Sequence, residues 1–131
     1  MVTIVSRHSS GFPGVKQDIP RGPLYADILS IIDSATMLIG TKKCRKNLRA
    51  LSKDMDDLKD IIKHSVTCGR FHKSEWCELS EPETWAACDS YTWVESAWIE
   101  AAYKEMDCHF YIKFCIDSSG NVVTTVSYHT S

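Results

Sequence analysis

The chain has 131 residues, a formal net charge of −2 and a pI of about 6.2. With 44% hydrophobic residues it can build one domain around its own core, so folding requires no disulfide or metal staple. An acidic total argues against a protein that is basic all over, as many nucleic-acid binders are, and no apolar run is long enough to span a membrane.

Met1-Val2-Thr3-Ile4-Val5 is too short for the apolar region of a secretory signal, which predicts a cytoplasmic protein. The six cysteines (Cys44, Cys68, Cys77, Cys88, Cys108, Cys115) contain no C-x-x-C pair and read as reduced thiols. Gly11, Pro13, Gly14, Pro20, Gly22 and Pro23 make residues 6–24 a loop or loosely tied arm. The expected organisation is an extended arm over 1–24 and a single α+β domain over 25–131.

A helix should begin near Tyr25, with Leu29, Ile32 and Ala35 at helical spacing. Thr36-Met37-Leu38-Ile39 reads equally as its last turn or as a short extended piece. Thr41 is a suitable N-cap for a second helix, in which Cys44, Leu48 and Leu51 share one face and basic side chains cover the other. Asp54 can cap a third, with an apolar stripe of Met55, Leu58, Ile61, Ile62 and Val66 and a stop at Gly69. Residues 80–107 are ambiguous: Trp93 to Tyr103 has helical composition, whereas Tyr91-Thr92-Trp93-Val94 fits a strand. His109 to Ile116, a turn at 118–121 and Val122 to Tyr128 read as a hairpin. The expected fold class is α+β, with N-terminal helices packed on a mainly antiparallel C-terminal sheet.

Three apolar frames hold polar side chains: Phe71-His72-Lys73-Ser74-Glu75, Phe110-Tyr111-Ile112-Lys113-Phe114 and Val126-Ser127-Tyr128-His129. If they meet on one sheet, Lys73, Tyr111, Lys113 and His129 present two cations, a phenol and an imidazole to one ligand. That set suits a phosphodiester better than an apolar metabolite. Lys42, Arg45, Lys46 and Arg49 of the basic helix, with Lys113, are candidates for neighbouring phosphates. The bland alternatives are a surface lysine at 73, a structural tyrosine at 111 and a solvated basic helix. Cys68, His72 and Cys77, with His64 or Cys88, offer zinc-ligand types at spacings that fit no common finger or knuckle. No Gly-rich phosphate loop or H-E-x-x-H is present, and no metal or cofactor is expected.

The three frames, taken in order, resemble the MqsR family of bacterial toxins, relatives of the RelE-type mRNA interferases. Phe71-His72-Lys73-Ser74 stands where the family has F-Y-K-S, and Tyr111-Ile112-Lys113 where it has a tyrosine, a leucine or isoleucine, and a lysine. Val126-Ser127-Tyr128-His129 stands where it has V-S-F-K. The likeness runs from about Tyr25 to His129. It implies a RelE/MqsR-like fold, metal-independent endoribonuclease activity on mRNA, and a cognate antitoxin as protein partner. It implies catalytic roles for Lys73 and Tyr111, with His129 replacing a lysine. The chain departs from the family at Val94, which replaces the active-site glutamine of W-Q-D-V-Y. It departs also in a longer, more acidic stretch between Ser74 and Tyr111, and in the extra arm. The alternatives are a non-enzymatic phage or mobile-element inhibitor that binds a protein target, and a nucleic-acid-binding module without catalysis.

Overall fold

The computed structural model describes residues 1–130, and every side chain among them except those of Ala97 and Ile99; Ser131, the last residue of the expected domain, lies outside it. In chain order the elements are β1 (Thr3–Ile4), β2 (Gln17–Ile19), α1 (Ile28–Ile31), β3 (Thr36–Ile39), α2 (Lys42–Ala50), α3 (Met55–Cys68), β4 (Arg70–Glu78), β5 (Thr84–Ile99), β6 (Lys104–Ile116) and β7 (Val122–Thr130). All seven strands join one sheet in the order β2-β4-β5-β6-β7-β3, with β1 beside the start of β5. The pairings are antiparallel except β3 with β7 and β1 with β5. The α+β class therefore holds. The sheet is not purely C-terminal, however, because it takes strands from the arm and from between the helices.

The Thr36–Ile39 segment settles as a strand, which limits the preceding helix. After one α-turn the chain tightens into a 3₁₀ turn at Ile32–Ser34 and goes extended at Ala35. Thr41 does cap α2: its hydroxyl oxygen accepts from the Cys44 N–H at 3.1 Å and donates to the Val126 carbonyl at 2.8 Å, tying the helix start to β7. Asp54 and Asp57 form a reciprocal capping box at the start of α3. At its other end Gly69 sits where any Cβ would collide with the carbonyls of Ser65 and Thr92. Only glycine lets α3 pass so closely into β4.

The helical reading of Trp93 to Tyr103 is overturned. These residues continue β5 to Ile99, and helix survives only as a 3₁₀ turn at Glu100–Ala102. The cause is tertiary: Trp93 stacks on Phe110 and Tyr128, with ring centroids 5.3 and 6.4 Å apart, and only a period of two keeps Trp93 inward and Val94 outward. The arm is not loose either. Beyond its two strands, the backbone N–H groups of Leu24 and Tyr25 donate to the buried Asp89 carboxylate, and the Tyr25 hydroxyl donates to the Ala87 carbonyl.

Strand alternation divides the side chains of the sheet. One face carries Tyr91, Trp93, Ile112, Phe114, Val123 and Tyr128, which join Tyr25, Ile28, Ile32, Leu58 and Ile62 in the hydrophobic core. The other face carries the polar residues considered next. Among the described residues no helix is long and apolar enough to cross a membrane.

Candidate active site

Cross-strand register assembles the polar face. Lys73, Ser90, Lys113 and Ser127 lie opposite one another across β4, β5, β6 and β7, and Thr92, Tyr111 and His129 form the adjoining row. The register of β4 shifts between Phe71 and Lys73, a bulge at His72. A bulge interrupts strict alternation, so that both His72 and Lys73 line the same cavity. That cavity, about 650 Å³, is lined also by Lys43 and Asn47 of α2 and by its capping residue Thr41.

Glu75 organises its charge. The carboxylate is 4% exposed and accepts from Lys113 Nζ at 2.8 Å, with Lys73 Nζ at 3.5 Å. Lys73, 38% exposed, also donates to Asp18 of β2 at 3.0 Å. Burial pushes the Glu75 carboxyl up, but the hydrogen bond and charge of Lys113 and the charge of Lys73 outweigh it and hold the group below the usual carboxylate range. Burial likewise opposes the charge on Lys113, and Cys77 and Glu75 more than restore it, so its ammonium is held above the ordinary lysine value. Lys73 is raised by its bond to Asp18 and by Glu75. Both lysines are therefore charged at neutral pH. The lining contains Lys16, Lys43, Lys73 and Lys113 against Glu75 and Glu78, a locally positive site in a chain of net charge −2.

The aromatic wall is built from three strands. Tyr111 and His129 stack with centroids 4.8 Å apart and planes 15° from parallel. The His72 ring meets Tyr111 edge-on at 6.1 Å, and Lys113 Nζ lies 6.0 Å from the Tyr111 centroid. Burial pushes the Tyr111 phenol up, so at neutral pH it is a hydrogen-bond donor.

Lys73, Tyr111, Lys113 and His129 thus line one cavity. Lys113 is not the solvent-facing phosphate contact its sequence position suggests: at 8% exposure it forms part of the floor. The basic helix divides. Lys43 faces the cavity with Asn47, one helical turn on, while Lys42 and Arg45 line a different cavity of about 730 Å³ with Leu38 and Leu79. Lys46 and Arg49 are exposed and line neither. Val94, 51% exposed, borders a third cavity next to Tyr111 and His129, away from the lysines. Sequence reasoning missed Glu75, His72, Lys43 and Lys16. Glu75 was within reach of it, being two residues from Lys73 and so on the same strand face. Among the described residues no group of three or more His, Cys, Asp or Glu side chains is arranged to hold a metal. Comparison with protein-family models, curated proteins and solved structures returns no match.

Proposed function

We propose that the protein is a cytoplasmic toxin of the toxin–antitoxin type, an endoribonuclease that cleaves mRNA without a metal and is held by a cognate antitoxin. The observation that carries this reading is the grouping of Lys73, Lys113, Tyr111 and His129, from three strands, around one positively charged cavity. Such cleavage moves the 2′-hydroxyl oxygen onto the adjacent phosphorus and expels the 5′-oxygen, leaving a 2′,3′-cyclic phosphate and a 5′-hydroxyl. Lys73 stabilises charge on the phosphorane, with the charge of Lys113 behind it in the floor, and Asp18 and Glu75 fix the two ammonium groups beforehand. His129, which lines the cavity beside Tyr111 and whose imidazole has a nitrogen able to accept a proton, takes the 2′ proton. Tyr111, kept protonated by burial, donates toward the leaving oxygen. Cleavage of RNA by partner-free protein in EDTA tests the reading. Lys73→Ala is expected to slow it about 10²–10³-fold and to relieve growth arrest on induction, with the fold intact by circular dichroism. Uncut RNA with wild-type protein would sink it.

A specific feature favours a second reading, the protein-binding inhibitor. Beyond Thr92 of β5 and Phe110 of β6 the two strands leave their neighbours and project as a ribbon, with Val94, Trp98, Tyr103 and Met106 in solvent among acidic side chains. That reading predicts capture of a macromolecular target that Trp98→Ser releases. Loss of the target with Lys73→Ala but not with Trp98→Ser counts against it.

A further inference from the structure

The wall formed by His72, Tyr111 and His129 has two sides. One borders the lysine cavity and the other a separate cavity of about 620 Å³. Register extends the polar face into it: Arg70 lies opposite Thr92 in the row that continues through Tyr111 and His129, and His109 lies opposite Val94 in the next. Three rings therefore stand between a pocket of cations and a pocket of mixed apolar and polar lining. In single-stranded RNA a phosphate and its adjoining base are separated by a single sugar and can occupy neighbouring pockets across one such wall. Aromatic rings at this position suit a splayed-out base.

The polar lining indicates which bases. Among the described residues no carboxylate lines the second cavity, and its side chains Arg70 and His109 are exposed and carry no partner. Guanidinium is a donor only, and imidazole and hydroxyl can each donate. A base that offers a carbonyl satisfies such groups. One that offers an amino group places a donor against the Arg70 guanidinium, which cannot accept, and leaves only imidazole or hydroxyl to answer it.

We propose that this cavity is a nucleobase subsite, receiving the base next to the phosphate held by the lysines and favouring bases with a carbonyl (uracil, guanine) over those with an amino group in the same place (cytosine, adenine). The assignment rests on the ribonuclease reading and specifies its substrate. It is tested by fluorescence anisotropy with the full chain and labelled 2′-fluoro hexanucleotides, which lack the attacking hydroxyl. Oligo-uridine is compared with oligo-cytidine, and oligo-inosine with oligo-adenosine; each pair exchanges carbonyl for amino at one position. The carbonyl member should bind about fivefold or more tightly in both pairs. Arg70→Lys, which keeps the charge and loses the fork, combined with His109→Ala should reduce each preference below about twofold. Lys73→Ala should weaken all four alike. Equal binding within the pairs, still sensitive to Lys73→Ala, overturns the subsite and leaves the ribonuclease reading standing. A preference that survives the Arg70/His109 variant removes it from this cavity. Binding of none of the four overturns the ribonuclease reading and the subsite together.

Discussion

At the scale of single residues, Glu75 and Lys113 are the most consequential pair. Each is nearly inaccessible to solvent; Lys113, with Lys73, holds the charge of Glu75, and Cys77 and Glu75 together hold that of Lys113. Removing one partner of a buried pair strands the other, whereas replacing both with apolar groups is far less costly. Lys113→Met should lower stability by about 3 kcal/mol in urea titrations. Lys113→Met with Glu75→Leu should recover most of that loss yet leave the protein unable to cleave RNA. The sign of the pH dependence follows from Glu75, whose folded-state pKa lies below its unfolded value. The stabilisation is complete above the ordinary glutamate range and disappears as pH falls through the lower, folded value. Acid titrations of stability should therefore show a shallower loss in Glu75→Gln than in wild type on the acid side of about pH 4.5. A steeper loss in the variant would contradict the assignment.

At the scale of elements, the corner between α3 and β4 positions the whole Phe71–Glu75 segment. Gly69 is fitted against two backbone carbonyls that cannot move independently, so Gly69→Ala should cost about 2 kcal/mol, read as a lowered midpoint in thermal or urea unfolding. The caps at Thr41 and Asp54, the stop at Gly69 and the C-terminal hairpin were legible in the sequence because each depends on residues within a few positions of one another. The extent of β5 was not. Glu95 to Ala102 is good helix composition, and what overrides it is the stack of Trp93 on Phe110 and Tyr128, partners 17 and 35 positions away. Alternation put Tyr111 and Lys113 on one face of their strand. That Lys73 and His129 share that face was only a condition in the sequence, and the register of β4 to β7 is what brings them there. Alternation could not show that Lys113 is buried, because burial there depends on Glu75 from β4. Nor could it show that His72 joins Lys73 in one cavity, because a bulge breaks the period on which the reading relies. On α2 the sequence marked a basic face, but only packing against β7 reveals that Lys43 faces the site and Lys42 does not.

At the scale of the whole molecule, charge is distributed unevenly rather than balanced. α2 carries a cluster of exposed cations beside the lysine cavity, while the projecting ribbon carries Glu95, Glu100, Glu105 and Asp107. A polyanion is drawn to the α2 side and repelled from the ribbon. The carboxylates already seated against Lys73 and Lys113 alter what ionic strength will do to that attraction. A lysine whose counter-charge is covalently part of the protein has no sodium-displacing role left on a bound strand. Of the four lysines around the cavity, Lys16 and Lys43 remain to act in that way. The share of the slope of log RNA affinity against log salt concentration that comes from the cavity should therefore be about −1.4, not the roughly −2.8 that four free lysines would give. Glu75→Gln, by removing the carboxylate charge seated against Lys113 while Asp18 still holds Lys73, should make binding more salt-sensitive.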